Sequence, residues 1–363
     1  MGKSEQKNIE FMFVLPGRKG GGAERVVSVL ASGLAERGHS VCILQFVTQA
    51  DEYPVHDDVI VHRLELDKEA KGSKLKFVKK WVRYYKPKYV IPFLGNTAEY
   101  SLLATLFTKS KCIGTIRNNP EKNIESKKYK FIRKITFRLM DAVFAQTKEQ
   151  TLYYSKAIQR KSFVVPNPVS DVFVNAEYNY RENVSNIIAI GRLTEQKNYP
   201  LLFSAFKEVL KEFPELKLNV YGVGPLNSKF EDAIKRNGLE DCIILHGRTN
   251  DVASALCKSD LYIMSSDFEG FPNSLMEAMT VGMPCISTDC PTGPSELITT
   301  GVSGELIEVG NKQELINAIK KMIISFDYRK SCGQNARKFV LENLTVENIV
   351  IAFINEVKKV YWE

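Results

Sequence analysis

FMFVLPGRKGGGAERVVSVLASGLAERGHSVCILQF, residues 11–46, changes its hydrophobic period twice. Phe11 to Leu15 is a short continuous apolar run, the pattern of a strand buried on both faces. A glycine-rich turn follows, and then Val26, Val27, Val29, Leu30 and Leu34 recur at helical spacing. That period ends at Glu36, Arg37 and Gly38, and Gly38 suits a helix C-terminus. Val41 to Phe46 is a second apolar run, so the stretch reads strand, turn, helix, strand: a βαβ unit.

Outward from this unit, short apolar runs at 89–94, 112–116, 142–145 and 163–165 continue the alternation. Residues 166–186 interrupt it with two prolines and a cluster of Asn, Ser and Asp. The alternation then restarts, with strands expected at 187–190, 217–221, 242–245, 261–264 and 284–287. Helices are expected near 199–212, 228–237, 251–257, 273–281 and 312–324, and two more over 327–361. Two successive β/α alternations predict an α/β protein of two doubly wound Rossmann-like domains. The expected divisions are 1–168, a linker at 169–186, 187–340, and a C-terminal helix in 341–363 that packs back on the first domain. Ligands of such sheets sit at the carboxyl ends of the strands, so a cleft between the two domains is the expected active site.

The chain has 363 residues, 44% of them apolar and 25% charged, which excludes disordered and fibrous classes. No stretch approaches the roughly 18 apolar residues of a spanning helix. The N-terminus, MGKSEQKNIE, lacks the apolar region of a secretory signal, and a cytoplasmic protein is expected. Seven cysteines without a CxxC pair, and four histidines without ligand spacing, read as reduced thiols and no structural metal. The charge is uneven. Up to residue 180 there are 30 Lys and Arg against 18 Asp and Glu; beyond it, 20 against 24. Residues 71–161 alone hold 22 against 5, which would suit nucleic acid, an anionic membrane or a phosphorylated substrate.

Five motifs carry chemistry. The turn at 17–25 includes Gly20, Gly21 and Gly22 before a helix start, a place where backbone approaches an anion, though such a turn is also simply flexible. It is neither a Walker loop nor GxGxxG. The second motif, Gly191 to Asn198, places Arg192 and Lys197 after a strand, where a guanidinium and an ammonium suit a diphosphate. Gly222 and Gly224, at another strand end, leave room for a ligand. Gly247 and Arg248 follow His246, and a lone histidine there reads as structural. The most specific stretch is SSDFEGFPNSLME, residues 265–277. Glu269 lies in the loop after a buried run, Asn273 is placed to cap a helix from Ser274, and Glu277 falls about one turn in. Both carboxylates can then flank one ligand whose anionic part sits at the helix start.

Taken in order, GGAER, PNPV, GRLTEQKN, YGVGP, HGR and EGFPNSLMEAMTVGMPCISTD resemble glycosyltransferase family 4, densest from 187 to 307. CPTGPSELI, with Gly301 and Gly304, is similar to bacterial members that assemble surface glycans. The resemblance implies a GT-B fold and retention of anomeric configuration by front-face attack, with no enzyme nucleophile. It implies hexosyl transfer from a nucleotide diphosphate sugar, UDP being the common base, to a glycan or lipid-linked glycan. By the same resemblance Arg192 and Lys197 hold the donor diphosphate. Glu269 holds the sugar hydroxyls and Glu277 the ribose. The backbone of Gly270, Phe271, Pro272, Asn273, Ser274 and Leu275 binds sugar and phosphate. Gly191, Gly222 and Gly224 border the donor, and Gly247 and Arg248 lie near the base. Gly20 to Gly22 lie near the diphosphate and acceptor. Many members carry a histidine after the fourth strand; this chain reads Thr115 to Asn119 there, so Arg117 or Asn118 takes its place. No Asp-x-Asp element occurs, so no cofactor and no dedicated metal are expected.

Two other readings remain. A two-carboxylate glycoside hydrolase would not need the cations. A non-catalytic sugar-nucleotide or nucleic-acid binder would suit the basic half, but no nucleic-acid signature appears and no such partner is expected. Segments 74–88, KLKFVKKWVRYYKPK, and 127–138, KKYKFIRKITFR, interleave cations with aromatic residues. On a helix, Phe77, Val78, Trp81, Val82 and Tyr85 form one stripe. Either that stripe packs on the sheet with its lysines solvated, or the first domain docks peripherally on an anionic membrane surface.

Overall fold

The computed structural model describes residues 8–18, 21–48, 50, 52–64, 73–122 and 126–362, with the side chains of 361 and 362 excepted. The chain divides into two compact units, Met1–Pro168 with Val346–Glu363, and Val169–Thr345.

Unit 1 is a seven-stranded parallel sheet. Its strands are β1 (Phe11–Leu15), β2 (Val41–Gln45), β3 (Ile60–Arg63), β4 (Tyr89–Pro92), β5 (Lys111–Thr115), β6 (Ala142–Ala145) and β7 (Ser162–Val164). Their order is β3-β2-β1-β4-β5-β6-β7, so the winding reverses between β1 and β4. The crossovers carry α1 (Gly22–Glu36), α2 (Ser73–Tyr85), α3 (Thr97–Thr105), α4 (Lys127–Leu139), α5 (Lys148–Leu152) and α6 (Lys156–Gln159). β1 is buried along its whole length because helices cover both faces of a parallel sheet. β3, IVHR, is a half-buried edge strand that the apolar-run reading passed over. The stripe of α2 faces inward. Val78, Val82 and Tyr85 are core residues, and Phe77 and Trp81 pack against the same cluster as Val14 and Leu44. For this helix, packing on the sheet is the outcome.

Unit 2 has six parallel strands: β8 (Asn186–Ile190), β9 (Lys217–Tyr221), β10 (Ile243–Gly247), β11 (Leu261–Met264), β12 (Cys285–Thr288) and β13 (Glu305–Ile307). The order is β10-β9-β8-β11-β12-β13, with the reversal between β8 and β11. Its helices are α7 (Asp171–Val174), α8 (Tyr199–Val209), α9 (Asn227–Arg236), α10 (Val252–Cys257), α11 (Asn273–Val281), α12 (Pro294–Leu297), α13 (Lys312–Ile324) and α14 (Phe326–Asn343). The last helix, α15 (Val346–Trp362), belongs to unit 1 and lies along α1, with Phe353 5.4 Å from Phe144 and 5.9 Å from Phe11 between ring centroids.

Residues 169–186, expected as a linker, are part of unit 2. Tyr178 donates to the Asp260 carbonyl and Tyr180 to that of Gly282, at 3.2 and 2.7 Å. Arg181 pairs with Asp260 at 2.6 Å, and the second oxygen of that buried carboxylate accepts the backbone N–H groups of Ser185 and Asn186. Proline and asparagine content suggested a spacer; two tyrosines and an arginine make the segment a bound edge. The second unit also extends past the expected limit at 340, because α14 runs to Asn343.

Candidate active site

The donor-side residues gather at the carboxyl ends of β8 and β11, neighbouring strands at the reversal of unit 2. After β8 the chain makes a short 3-10 turn, Glu195–Lys197. Asn198 then adopts a left-handed conformation, φ 43°, and its side chain caps α8 by accepting from the N–H of Leu201. This turn points Lys197 back across the sheet edge. Its Nζ lies 2.6 Å from Oε1 of Glu269, in the loop after β11, and both side chains are largely buried. The family resemblance assigns the two to different parts of a ligand; here they also bind each other. A lysine carries three N–H donors, so one bond to Glu269 leaves two for a ligand.

Four further residues hold this pair. Gln196 donates to the Phe268 carbonyl at 2.8 Å and reaches Glu269 Oε2 at 3.5 Å. Asn198 donates to Asp267 at 2.7 Å, and Ser265 to the Lys197 carbonyl at 2.9 Å. Thr292, itself at φ 67°, donates to the Glu269 carbonyl. Gln196 and Asn198 lie inside the GRLTEQKN stretch and Thr292 inside CPTGPSELI, but their bonds cross about 70 and about 20 residues of chain and have no period. Beneath the pair, the Tyr199 hydroxyl donates to the Gly191 carbonyl at 3.1 Å. Burial, with the Glu269 charge adding, holds that phenol well above its usual range, so it remains a donor.

Glu269, Gly270, Phe271 and Pro272 are buried, and α11 begins at Asn273 rather than Ser274. Pro272 occupies the cap position, and no side chain caps the helix start. Proline has a fixed φ and no N–H, so it leads into the helix but offers no side-chain acceptor to the first N–H groups, as a capping asparagine would. The first backbone N–H groups of α11 therefore lack a side-chain cap. Ser274 accepts from the buried Tyr262 hydroxyl at 2.8 Å, and Leu275 and Glu277 are buried in the helix. Arg192 and Arg248 are exposed.

Gly222 is required by backbone approach: at φ 148°, a Cβ there would lie 1.9 Å from the Gly191 carbonyl oxygen. At Gly224 a Cβ would lie 2.2 Å from the Leu193 carbonyl oxygen. These glycines bring the loop after β9 onto the loop after β8. Gly247 ends β10 at a register shift, and His246 is held by Asn219 at 2.8 Å and by stacking on Tyr221.

In unit 1, Gly20 lies outside the described residues. Gly21 is the extended residue before α1 and Gly22 its first residue, with no side-chain cap. Arg18 turns inward, bonding Gln45 and the Tyr53 carbonyl at 2.8 Å and Glu52 at 2.7 Å, so it braces a neighbouring loop. After β5, Arg117 lies between two rings, its guanidinium carbon 4.0 Å from the Phe93 centroid and 4.2 Å from that of Phe144. Nη1 donates to Asn167 at 3.2 Å, while Nε and Nη2 are closed to solvent without a partner. Burial pushes its pKa down to about 9. Asn118 closes a local turn by accepting from the N–H of Asn119 at 2.8 Å. Among the described residues no cluster of three or more His, Cys, Asp or Glu could hold a metal, and no helix is long and apolar enough to cross a membrane.

Residues 175–339 match the family model described as Glycosyl transferases group 1. That match spans most of the second unit, and the chain has the two-sheet GT-B fold of solved glycosyltransferases. The chain is 30% identical over 243 residues to an uncharacterised glycosyltransferase of Methanocaldococcus jannaschii, covering 60% of each. It is 26% identical over 339 residues to a Campylobacter jejuni enzyme, covering 87% of this chain and 91% of that one. That enzyme is named as a 4-alpha-N-acetylgalactosaminyltransferase acting on a diphospho-undecaprenol-linked sugar. Among solved structures, a TarM variant of S. aureus in complex with fondaparinux, alpha-GlcNAc-glycerol and UDP has the same fold. Its TM-score is 0.82 at 15% identity, over 96% of this chain and 99% of that one.

Proposed function

We propose that the chain is a retaining glycosyltransferase that moves a sugar from a UDP-sugar to a hydroxyl of a glycan or lipid-linked glycan in bacterial polysaccharide or glycoconjugate synthesis. The observation that carries this is the buried Lys197–Glu269 pair at the reversal of the second sheet, beside a helix start without a side-chain cap. UDP in the TarM complex and the lipid-linked substrate in the Campylobacter enzyme's name support the choice of donor and acceptor.

In this reading Glu269 accepts hydrogen bonds from the donor sugar hydroxyls, and Glu277 from the ribose. The two spare donors of Lys197, the Arg192 guanidinium and the first N–H groups of α11 stabilise charge growing on the diphosphate. The bond from the anomeric carbon to the diphosphate oxygen breaks. The acceptor oxygen bonds that carbon on the same face, and the acceptor proton passes to the departing phosphate oxygen. No carboxylate acts as nucleophile, and no metal or cofactor is needed, because protein cations meet the leaving charge.

A thermal-shift panel of UDP-, GDP- and ADP-sugars, followed by assay of nucleoside diphosphate release with and without glycan acceptors, tests this. A ligand bound only by the folded state raises the melting temperature, by about 2.7 kcal/mol of stability at a hundred times Kd. UDP-sugars should raise it and be consumed. No shift and no turnover with any nucleotide sugar would overturn the proposal.

A further inference from the structure

α2 and α4 have similar sequences and opposite fates. α4 reads KKYKFIRKITFRL, with six cations and no acid, and buries only Thr136 and Phe137. Phe131, Ile135 and Leu139, spaced four apart on one face, are exposed, Phe131 and Leu139 at 65%. Lys127, Lys128, Lys134 and Arg138 are exposed around this ridge, and none has an acidic partner among the described residues. The turn after α3 extends the surface. Leu103 and Leu106 are exposed, and Phe107 projects fully, at 103%. Leu106, Phe107 and Leu139 line one open groove together with Lys109 and with Lys111, which pairs with Asp141 at 3.1 Å. Phe107 holds φ 62°, a strained conformation for an aromatic residue, and the strain presents its ring to solvent.

Unpaired cations ringing apolar side chains restrict the occupant. A second copy would bring the same positive face against this one. A neutral protein would cover the ridge and strand four charges. A bilayer with anionic headgroups satisfies both, with rings and leucines at the acyl boundary and cations among the phosphates. We propose that α4 and the 103–109 turn form the surface by which this chain docks on an anionic lipid bilayer. α2 has no part in it, because its stripe is inside the core.

The test is sedimentation of the full chain with phosphatidylcholine vesicles, with and without phosphatidylglycerol. Binding should require phosphatidylglycerol and weaken with salt. Neutralising Lys128, Lys134 and Arg138 to Gln should cut affinity about a hundredfold, at about fivefold per cation. Phe107→Ser with Phe131→Ser should cut it about tenfold or more. Neutralising Lys79, Lys80 and Arg83 on α2 should change it far less. All of these side chains lie outside the core, so circular dichroism should match the parent. The proposal falls if the chain binds neutral vesicles equally or binds none. It falls if the α2 variant loses as much as the α4 variant, or if the patch instead mediates a dimer that the same substitutions dissolve. The readout is sedimentation alone, so sugar transfer stands or falls separately.

Discussion

The carboxyl edges of the two sheets handle positive charge in opposite ways. In unit 2, Lys197 meets Glu269 at 2.6 Å, and Gln196, Ser265 and Thr292 fix the two loops that carry them. In unit 1, Arg117 is as deeply placed, yet its company is two phenyl rings and one carboxamide, with no carboxylate. A buried ion without a counter-ion is held against its desolvation, and ring faces offset only about 2 kcal/mol of it. One edge pairs its buried cation with a carboxylate; the other leaves its cation to two ring faces and one carboxamide.

Breaking the paired edge should have the largest effect. Lys197→Ala leaves the Glu269 carboxylate buried without its cation. We expect a loss of about 3–4 kcal/mol in stability and of about 10² to 10³ in kcat/KM. Glu269→Gln should keep more stability, since a neutral amide tolerates the site, yet lose a similar amount of activity. Urea unfolding and steady-state kinetics on both variants decide this. Parental kinetics in either would remove the pair from the mechanism.

Gly222→Ala probes how the paired edge is assembled. The new Cβ meets the Gly191 carbonyl, so the loops after β8 and β9 must separate at a cost of about 2–3 kcal/mol. The melting temperature should fall and nucleotide-sugar affinity with it. A variant of parental stability would show that the approach of the two loops is not required.

Arg117→Met inverts this pattern. Replacing an uncompensated buried charge by an apolar side chain of similar length should leave stability unchanged or raise it by about 1 kcal/mol. Activity toward a phosphate-bearing acceptor should fall about tenfold or more, mostly in acceptor KM. A destabilised variant with unaltered kinetics would make Arg117 a packing residue and erase the contrast between the two edges.

The sequence disclosed these features unequally. The strands β1, β8 and β11 were legible because parallel strands buried on both faces read as unbroken apolar runs. β3 and β13 were not, being edge strands of four and three residues that carry His62, Arg63 and Glu305. Lys197, Glu269 and Glu277 stood out through their places after strands and at a helix start. Their mutual bond did not, because it joins loops about 70 residues apart and depends on the left-handed turn at Asn198. Basic amphipathic pattern alone could not separate α2 from α4. The pattern is shared, and only the fold shows that one stripe meets Val14 and Leu44 while the other meets solvent.

The smallest effect is expected inside unit 1, where a second ionisable group lies against an aromatic face. His62 stacks on Trp81 at 3.4 Å between ring centroids and shares a hydrogen bond of 2.9 Å with the Tyr85 hydroxyl. Burial, with the nearby charge of Lys80 adding, holds the imidazole below its ordinary range. Where Arg117 stays charged between rings until about pH 9, His62 sheds its proton. The unfolded chain therefore takes up a proton at His62 before the folded chain does. The stability tied to neutral His62 is fully present above the ordinary value of about 6.5 and declines as pH falls below it. His62→Phe keeps a ring on Trp81 and removes the titration. Urea unfolding at about pH 7.5 and about pH 5.5 should show the parent losing more stability on acidification than the variant, by a fraction of 1 kcal/mol. Equal losses would mean that His62 titrates normally, and that its stack on Trp81 carries none of the pH dependence of unit 1.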